Sequence, residues 1–131
     1  MKKLFYFSIL HLLLISSCTT SESKPEITFP EYTSSEENFK TKLSGYDSIT
    51  ANYTFKSKNT IISKSSANIL TINVFTPSDK KVGKRELAAK TERILAHTHS
   101  EISNYKQFEK IEIIFHNKDN STQTFSEEIT K

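Results

Sequence analysis

The hydrophobic period of this chain changes twice, and this change constrains the fold more than any other feature. Apolar residues alternate with polar ones over 49–55 and again over 68–75. A period of two predicts half-buried strands. Over 84–103 the apolar residues recur every three or four positions, which predicts a long amphipathic helix. Its apolar stripe, with Leu87, Ile94, Leu95 and Ile102, is expected to face the sheet, and the opposite side, with His97 and Glu101, is expected to face solvent. The period of two returns over 111–116 and predicts another strand.

A short helix is expected before the first strand. Ser34 or Ser35 is placed to cap its start. Phe39 and Leu43 lie four positions apart, so they share one face of the helix. Gly45 is placed to end it, because glycine adopts the left-handed conformation that commonly follows a helix.

The remaining patterns leave the number of strands open. Residues 61–62 are both isoleucine and either extend one of the first two strands or form a short strand between them. Residues 122–125 can pair back across a turn, and Ile27, Phe29 and Tyr32 can add an edge strand. Helices layered on one face of a sheet would bury these apolar faces. We therefore expect an α+β fold: a small antiparallel sheet of three to five strands, with one long and one short helix packed on one face.

The first 18 residues have the order of charged, apolar and small residues that is typical of an export signal. Lys2 and Lys3 precede an apolar run of 12 residues over 4–15. Small residues then lead to Cys18, the only cysteine of the chain. A helix that spans a membrane needs roughly 20 apolar residues. The run therefore predicts a removable signal peptide and not a transmembrane anchor.

The sequence Ile15-Ser16-Ser17-Cys18 resembles the lipobox of bacterial lipoproteins. The resemblance implies that the Cys18 thiol is acylated and that Cys18 becomes the first residue of the mature protein. A lone cysteine in an exported protein would otherwise remain a free thiol in an oxidising compartment. The alternative is an ordinary secreted protein that is cleaved near Ser17 and keeps a chance cysteine.

The resemblance divides the chain into three parts and implies a location. The parts are a signal peptide over 1–17, a flexible tether over 18–33 that is rich in polar residues and proline, and a single α+β domain over 34–131. In lipoproteins of this kind, an aspartate after the lipidated cysteine causes retention at the inner membrane. Thr19 stands there in this chain, so the expected location is the outer membrane, on its periplasmic side.

The charge balance excludes one class of partner. The chain has 18 basic and 15 acidic residues, a formal charge of +3. Removal of Lys2 and Lys3 with the signal peptide leaves 16 basic against 15 acidic residues, or +1. Since a protein that binds nucleic acid carries a basic domain, we expect no nucleic-acid partner.

The segment 80–93 is nevertheless locally basic. Six basic residues stand there against Glu86 and Glu92, a local charge of +4. The six are Lys80, Lys81, Lys84, Arg85, Lys90 and Arg93. Cations near the start of a helix add to the positive end of its dipole, so this segment is a candidate contact for an anion or an acidic partner. The alternative is a solvated face of the helix.

The histidines and other reactive side chains form no recognisable catalytic or metal-binding motif. His97 and His99 are two positions apart, so on a helix they point about 200° away from each other. His116 and Asp119 could approach them, but no spacing requires it. The chain has only two glycines, no glycine-rich phosphate loop and no serine in a nucleophile elbow. We therefore expect no enzyme activity, no metal and no cofactor.

Ser48 is a candidate for modification. The sequence Asp47-Ser48-Ile49 resembles the short signal, Asp followed by Ser or Thr and an aliphatic residue, that some bacteria use for O-glycosylation of exported proteins. A pattern of three residues also occurs often by chance, and chance is the alternative here. The resemblance implies a glycan on Ser48 and no other function.

These features predict a cell-envelope lipoprotein that is anchored through Cys18 and acts as a binding or assembly module for an envelope protein. Two alternatives remain open. One is a lipoprotein inhibitor or immunity-type protein that neutralises a toxin or hydrolase in the envelope. The other is a small enzyme or ligand carrier. Beyond the signal, no part of the sequence resembles a known family.

Overall fold

The structure is a computed structural model that describes residues 27–59, 64–77, 79 and 81–130. Several of the sequence predictions fall outside these residues. They concern the signal peptide with Cys18 and Thr19, the tether before Ile27, the isoleucines of 61–62, and Lys80 of the basic segment. The division into signal peptide, tether and domain therefore stays a prediction.

The described residues form two α-helices, a short 3-10 helix and four strands. The elements in chain order are α1 Glu36–Thr41, β1 Ser48–Asn59, β2 Lys64–Phe75, α2 Lys84–Glu101, the 3-10 helix Tyr105–Gln107, β3 Lys110–His116 and β4 Thr122–Glu128. The sheet order is β1-β2-β3-β4. The α+β class is confirmed, and β4 confirms the terminal strand.

The sheet is mixed and not wholly antiparallel as predicted. β1 pairs antiparallel with β2, and β3 pairs antiparallel with β4, but β2 and β3 are parallel. The reason is the position of α2 between β2 and β3 in the chain. A helix in this place returns the chain to the starting end of the sheet, so the next strand runs in the same direction.

One face of the sheet is apolar and packs against the helices. Ile72 lies between Ala51 of β1 and Ile113 of β3, and the three side chains belong to one buried cluster. The same cluster includes Phe39 of α1 and Ile94 of α2. On the opposite face the residues are mainly polar, because side chains alternate between the two faces of a strand.

Helix α1 is shorter than predicted. Ser35 is its cap, since its hydroxyl accepts a hydrogen bond of 3.1 Å from the Asn38 amide. The helix ends at Thr41, four residues before Gly45. Gly45 does have the predicted positive φ, 95°, but in the loop that follows. Lys42 after the helix is bound to Glu101 of α2, a contact that local spacing does not encode.

Helix α2 is rotated relative to the predicted orientation. Ile94 and Ile102 are fully buried as expected, but Leu95 is only half-buried. His97 and Glu101, predicted to face solvent, are buried. The reason is that α1 and the residues after it cover this second side of α2. Within the described residues, no helix is long and apolar enough to cross a membrane.

The chain before α1 is bound to the C-terminal end of α2. The Thr33 amide donates to the Glu101 carbonyl at 2.7 Å, and the Ser103 amide donates to the Glu31 carbonyl at 2.8 Å. Tyr32 forms a single antiparallel bridge with Ile102. The extra strand suggested for this segment is thus one isolated bridge.

Candidate functional site

A groove of about 400 Å³ lies between α2 and β4. Leu87 and Leu95 of α2 and Phe125 of β4 are half-buried and give it apolar walls. Charged residues border it: Lys84, Glu92 and Glu127. Leu87 and Leu95, predicted to face the sheet, pack against the edge of the core and form one wall of this groove. We call it the α2–β4 groove.

Thr91 lines the groove with an unsatisfied hydroxyl group. Its side chain is only 3% exposed, and Oγ1 has no hydrogen-bond partner among the described residues. Thr98, on the same helix, donates to the Ile94 carbonyl at 2.9 Å, as a threonine within a helix commonly does. A buried polar group without a partner costs free energy. A ligand in the groove that bonds to Thr91 would remove this cost.

The outer edge of β4 lies beside the groove. The Ile129 amide donates to the Glu109 carbonyl at 2.9 Å, so odd-numbered residues turn their backbone groups toward β3. Because bonding alternates along an antiparallel pair, even-numbered residues of β4, such as Ser126, turn theirs outward. An edge of this kind can pair with another extended chain.

Gln123 holds the chain before α2 against β4. Its amide accepts from the Val82 amide at 3.0 Å and donates to the Val82 carbonyl at 3.1 Å. These two hydrogen bonds join residues that are 41 positions apart in the chain. They therefore set the position of the start of α2 relative to the β4 edge.

The structure does not unite the basic residues into one surface. Lys80 lies outside the described residues, and Lys81 and Arg85 are exposed. Lys84 borders the α2–β4 groove, whereas Lys90 is six positions away, about 240° around the helix.

Lys90 and Arg93 instead lie on the side of α2 that faces Tyr46. Lys90 forms an ion pair of 2.9 Å with Glu86. Burial raises the pKa of Tyr46, while the charges of Arg93 and Lys90 oppose this rise. The two cations are therefore near the Tyr46 hydroxyl, on a different side of the helix from Lys84.

Glu101 is a polar centre that the sequence analysis missed. Its side chain is 5% exposed, and its carboxylate accepts from Ser34 Oγ at 2.8 Å and from Lys42 Nζ. These two hydrogen bonds hold the pKa of Glu101 below its ordinary value. The three residues join both ends of α1 to α2. No sequence signal could identify them, because 67 and 59 positions separate the partners.

Each described histidine has a separate partner. His97 is buried, and its Nε2 lies 2.9 Å from the Phe39 carbonyl. His99 is exposed and stacks on Tyr105. His116 stacks on Phe75, which lies beside it in the sheet. Across the described part of the chain, no three potential ligands come close enough to hold a metal ion.

Ser48, the candidate for glycosylation, is the first residue of β1. It is half-buried and lies opposite Phe75 of β2. Asp47 beside it donates its backbone amide to the Phe75 carbonyl at 2.8 Å. The three-residue pattern thus lies where the loop from α1 enters the sheet.

The elements and the groove define a small α+β domain with a mixed four-stranded sheet and an apolar groove beside an edge strand. No protein-family model, curated protein or solved structure matches the chain. Its function is therefore inferred from its own residues.

Proposed function

We propose that this protein is a lipid-anchored binding module of the cell envelope. In this proposal Cys18 carries the acyl chains, and the domain holds a partner protein at the periplasmic side of the outer membrane. The resemblance of residues 15–18 to a lipobox supports the lipid anchor. Thr19, where an aspartate would cause retention at the inner membrane, supports the outer membrane as the location. The proposed role involves no catalysis, cofactor or nucleic acid.

The α2–β4 groove beside the outer edge of β4, which pairs with no further strand among the described residues, is the observation that carries the binding role. An extended peptide that pairs with β4 would gain backbone hydrogen bonds from residues such as Ser126. Every second side chain of that peptide would point to the layer of the sheet that contains Phe125. An apolar side chain there would enter the groove next to Leu95. We therefore propose an extended segment of a partner protein as the ligand.

The anchor is tested by labelling cells with a clickable fatty acid. The wild-type protein should carry the label. Cys18→Ala should not, and it should accumulate as a longer precursor because the signal peptide is not removed. An unlabelled wild-type protein would refute the anchor.

The binding role is tested by selecting peptides from a random phage-displayed library against the mature chain. Selected peptides should have apolar residues at alternate positions. Ser126→Pro removes an outward backbone amide and should reduce their binding at least several-fold. Ser126→Ala keeps that amide and is the matched control. Failure to select any peptide, or equal binding to the two variants, would contradict the proposed mode.

A further inference from the structure

The path of the chain places one end of the domain close to the anchor. Residues 19–26 separate Cys18 from Ile27, the first residue that the structure describes. Even fully extended, this part of the chain spans only about 30 Å. If Cys18 is held in a bilayer, Ile27 lies within that distance of it.

The first described residues are attached to a defined end of the domain. The Phe29 carbonyl accepts from Asn104 Nδ2 at 2.8 Å, and the Glu31 amide donates to Asn104 Oδ1 at 2.9 Å. The Phe29 ring lies 6.5 Å from the Tyr53 ring of β1 in an edge-on arrangement. The chain therefore enters the domain beside Tyr53, where α2 has just ended.

Exposed apolar side chains collect at this same end. Among the described residues, four large apolar side chains are exposed: Ile27, Phe29, Phe55 and Phe75. Phe29 is 69% exposed, and Phe55, two positions beyond Tyr53 and on the same face of β1, is 38% exposed. Only Phe75 lies elsewhere, at the other end of β2. A group of apolar residues at one end marks a contact surface more than a single one does.

The charge of the hairpin segment that contains Phe55 favours an anionic surface. The segment 55–67 of the β1–β2 hairpin has three lysines and no acidic residue. Lys58 is exposed near the end of the hairpin, on the opposite face of β1 from Phe55, whereas Lys56 forms an ion pair of 2.8 Å with Glu112. Exposed phenylalanine and aliphatic side chains together with lysines are typical of protein surfaces that lie on an anionic bilayer.

We propose that this end of the domain, formed by Ile27, Phe29, Phe55 and Lys58, lies on the bilayer. The inference rests on the proposed anchor at Cys18 and adds an orientation to it. The apolar side chains enter the headgroup region, and Lys58 lies near lipid phosphates. The end of the sheet with Phe75 then points away from the membrane.

The composition of the chain permits a direct test. Cys18 is its only cysteine, and it has no tryptophan. The mature chain is coupled through Cys18 to a maleimide lipid in vesicles of phosphatidylglycerol and brominated phosphatidylcholine. Single tryptophans replace Phe55 or Phe75. Brominated lipid should quench Phe55→Trp several-fold more than Phe75→Trp, and Lys58→Glu should reduce the quenching of Phe55→Trp. Equal quenching of the two reporters would overturn the orientation, and an unchanged signal in Lys58→Glu would overturn the role of its charge.

This result is separable from the test of the anchor. Chemical coupling imposes attachment at Cys18 whether or not cells acylate it. Equal quenching together with fatty-acid labelling of the wild type would refute the orientation alone. Absence of labelling in cells would refute the anchor, and with it the biological basis of the orientation.

Discussion

The His97 imidazole contacts Phe39 in two ways: it stacks on the Phe39 ring, and its Nε2 bonds to the Phe39 carbonyl. The two rings stack with centroids 4.8 Å apart and planes inclined by 17°. His97 Nε2 lies 2.9 Å from the Phe39 carbonyl oxygen. Phe39 is in the last turn of α1, where carbonyl groups have no partner within the helix. The imidazole thus caps α1 and joins it to α2, although 58 positions separate the two residues.

Loss of this contact should destabilise the domain. His97→Ala leaves the Phe39 carbonyl unpaired, which costs about 1–3 kcal/mol in the free energy of unfolding, before any loss of ring packing. His99→Ala is the matched control, since His99 is exposed on the same helix, and it should cost less. Chemical denaturation of both variants checks this, and similar midpoints would contradict the role of His97.

Adjacent apolar residues of α2 should differ in their effect on stability. Ile94 is fully buried in the core, so Ile94→Ala should lower the free energy of unfolding by about 2–5 kcal/mol. Leu95 is half-buried beside the α2–β4 groove, so Leu95→Ala should cost less but should weaken binding of selected peptides. Thermal melts with peptide titrations measure both effects. A larger loss of stability in Leu95→Ala would refute the described helix orientation.

Removal of the Thr91 hydroxyl should affect stability and binding in opposite directions. Thr91→Val replaces the unpaired hydroxyl with a methyl group of similar size, so the melting temperature should stay the same or rise. If the hydroxyl bonds to the ligand, selected peptides should bind this variant more weakly. Thr91→Ser keeps the hydroxyl and is the control for binding. A clear loss of stability in Thr91→Val would show that the hydroxyl has a structural partner.

Glu101 should make stability depend on acid pH. Its pKa is lower in the folded protein than its ordinary value of 4.5, because Lys42 and Ser34 bond to the carboxylate. Such a group stabilises the fold above the unfolded pKa, and this contribution is lost as pH falls through the folded pKa. Glu101→Gln should therefore lower the melting temperature at pH 7, with a smaller difference from wild type at about pH 2.

Glu86→Gln is the control for this effect, because Glu86 is exposed and, among the described residues, its carboxylate has only the ion pair with Lys90. Exposed pairs of this kind contribute little. Glu86→Gln should therefore melt close to the wild-type temperature at both pH values. A difference between Glu101→Gln and wild type that does not shrink in acid would contradict the proposed ionic contribution.

Local patterns predicted the elements well but their boundaries less well. The alternation around Ile49 and Ile72 identified β1 and β2, and the spacing around Ile94 identified α2. β1 extends to Asn59 and β2 begins at Lys64, because the hairpin continues the pairing past the apolar residues. Of the candidate site, Lys84 borders the α2–β4 groove and Cys18 lies outside the described residues. Spacing did not predict Thr91 or Phe125 as groove residues, because the groove is formed by elements that are distant in the chain.

The sequence by itself determined the α+β class, the apolar faces of the strands and the existence of the long helix. These follow from the period of apolar residues, which depends only on neighbouring positions. Tertiary structure decided the parallel pairing of β2 with β3, the rotation of α2, and the burial of His97 and Glu101. Each of these depends on a partner that is far away in the chain, such as Phe39 for His97 or Lys42 for Glu101. A local period shows that one side of a helix is apolar, but only the packed fold shows what covers its other sides.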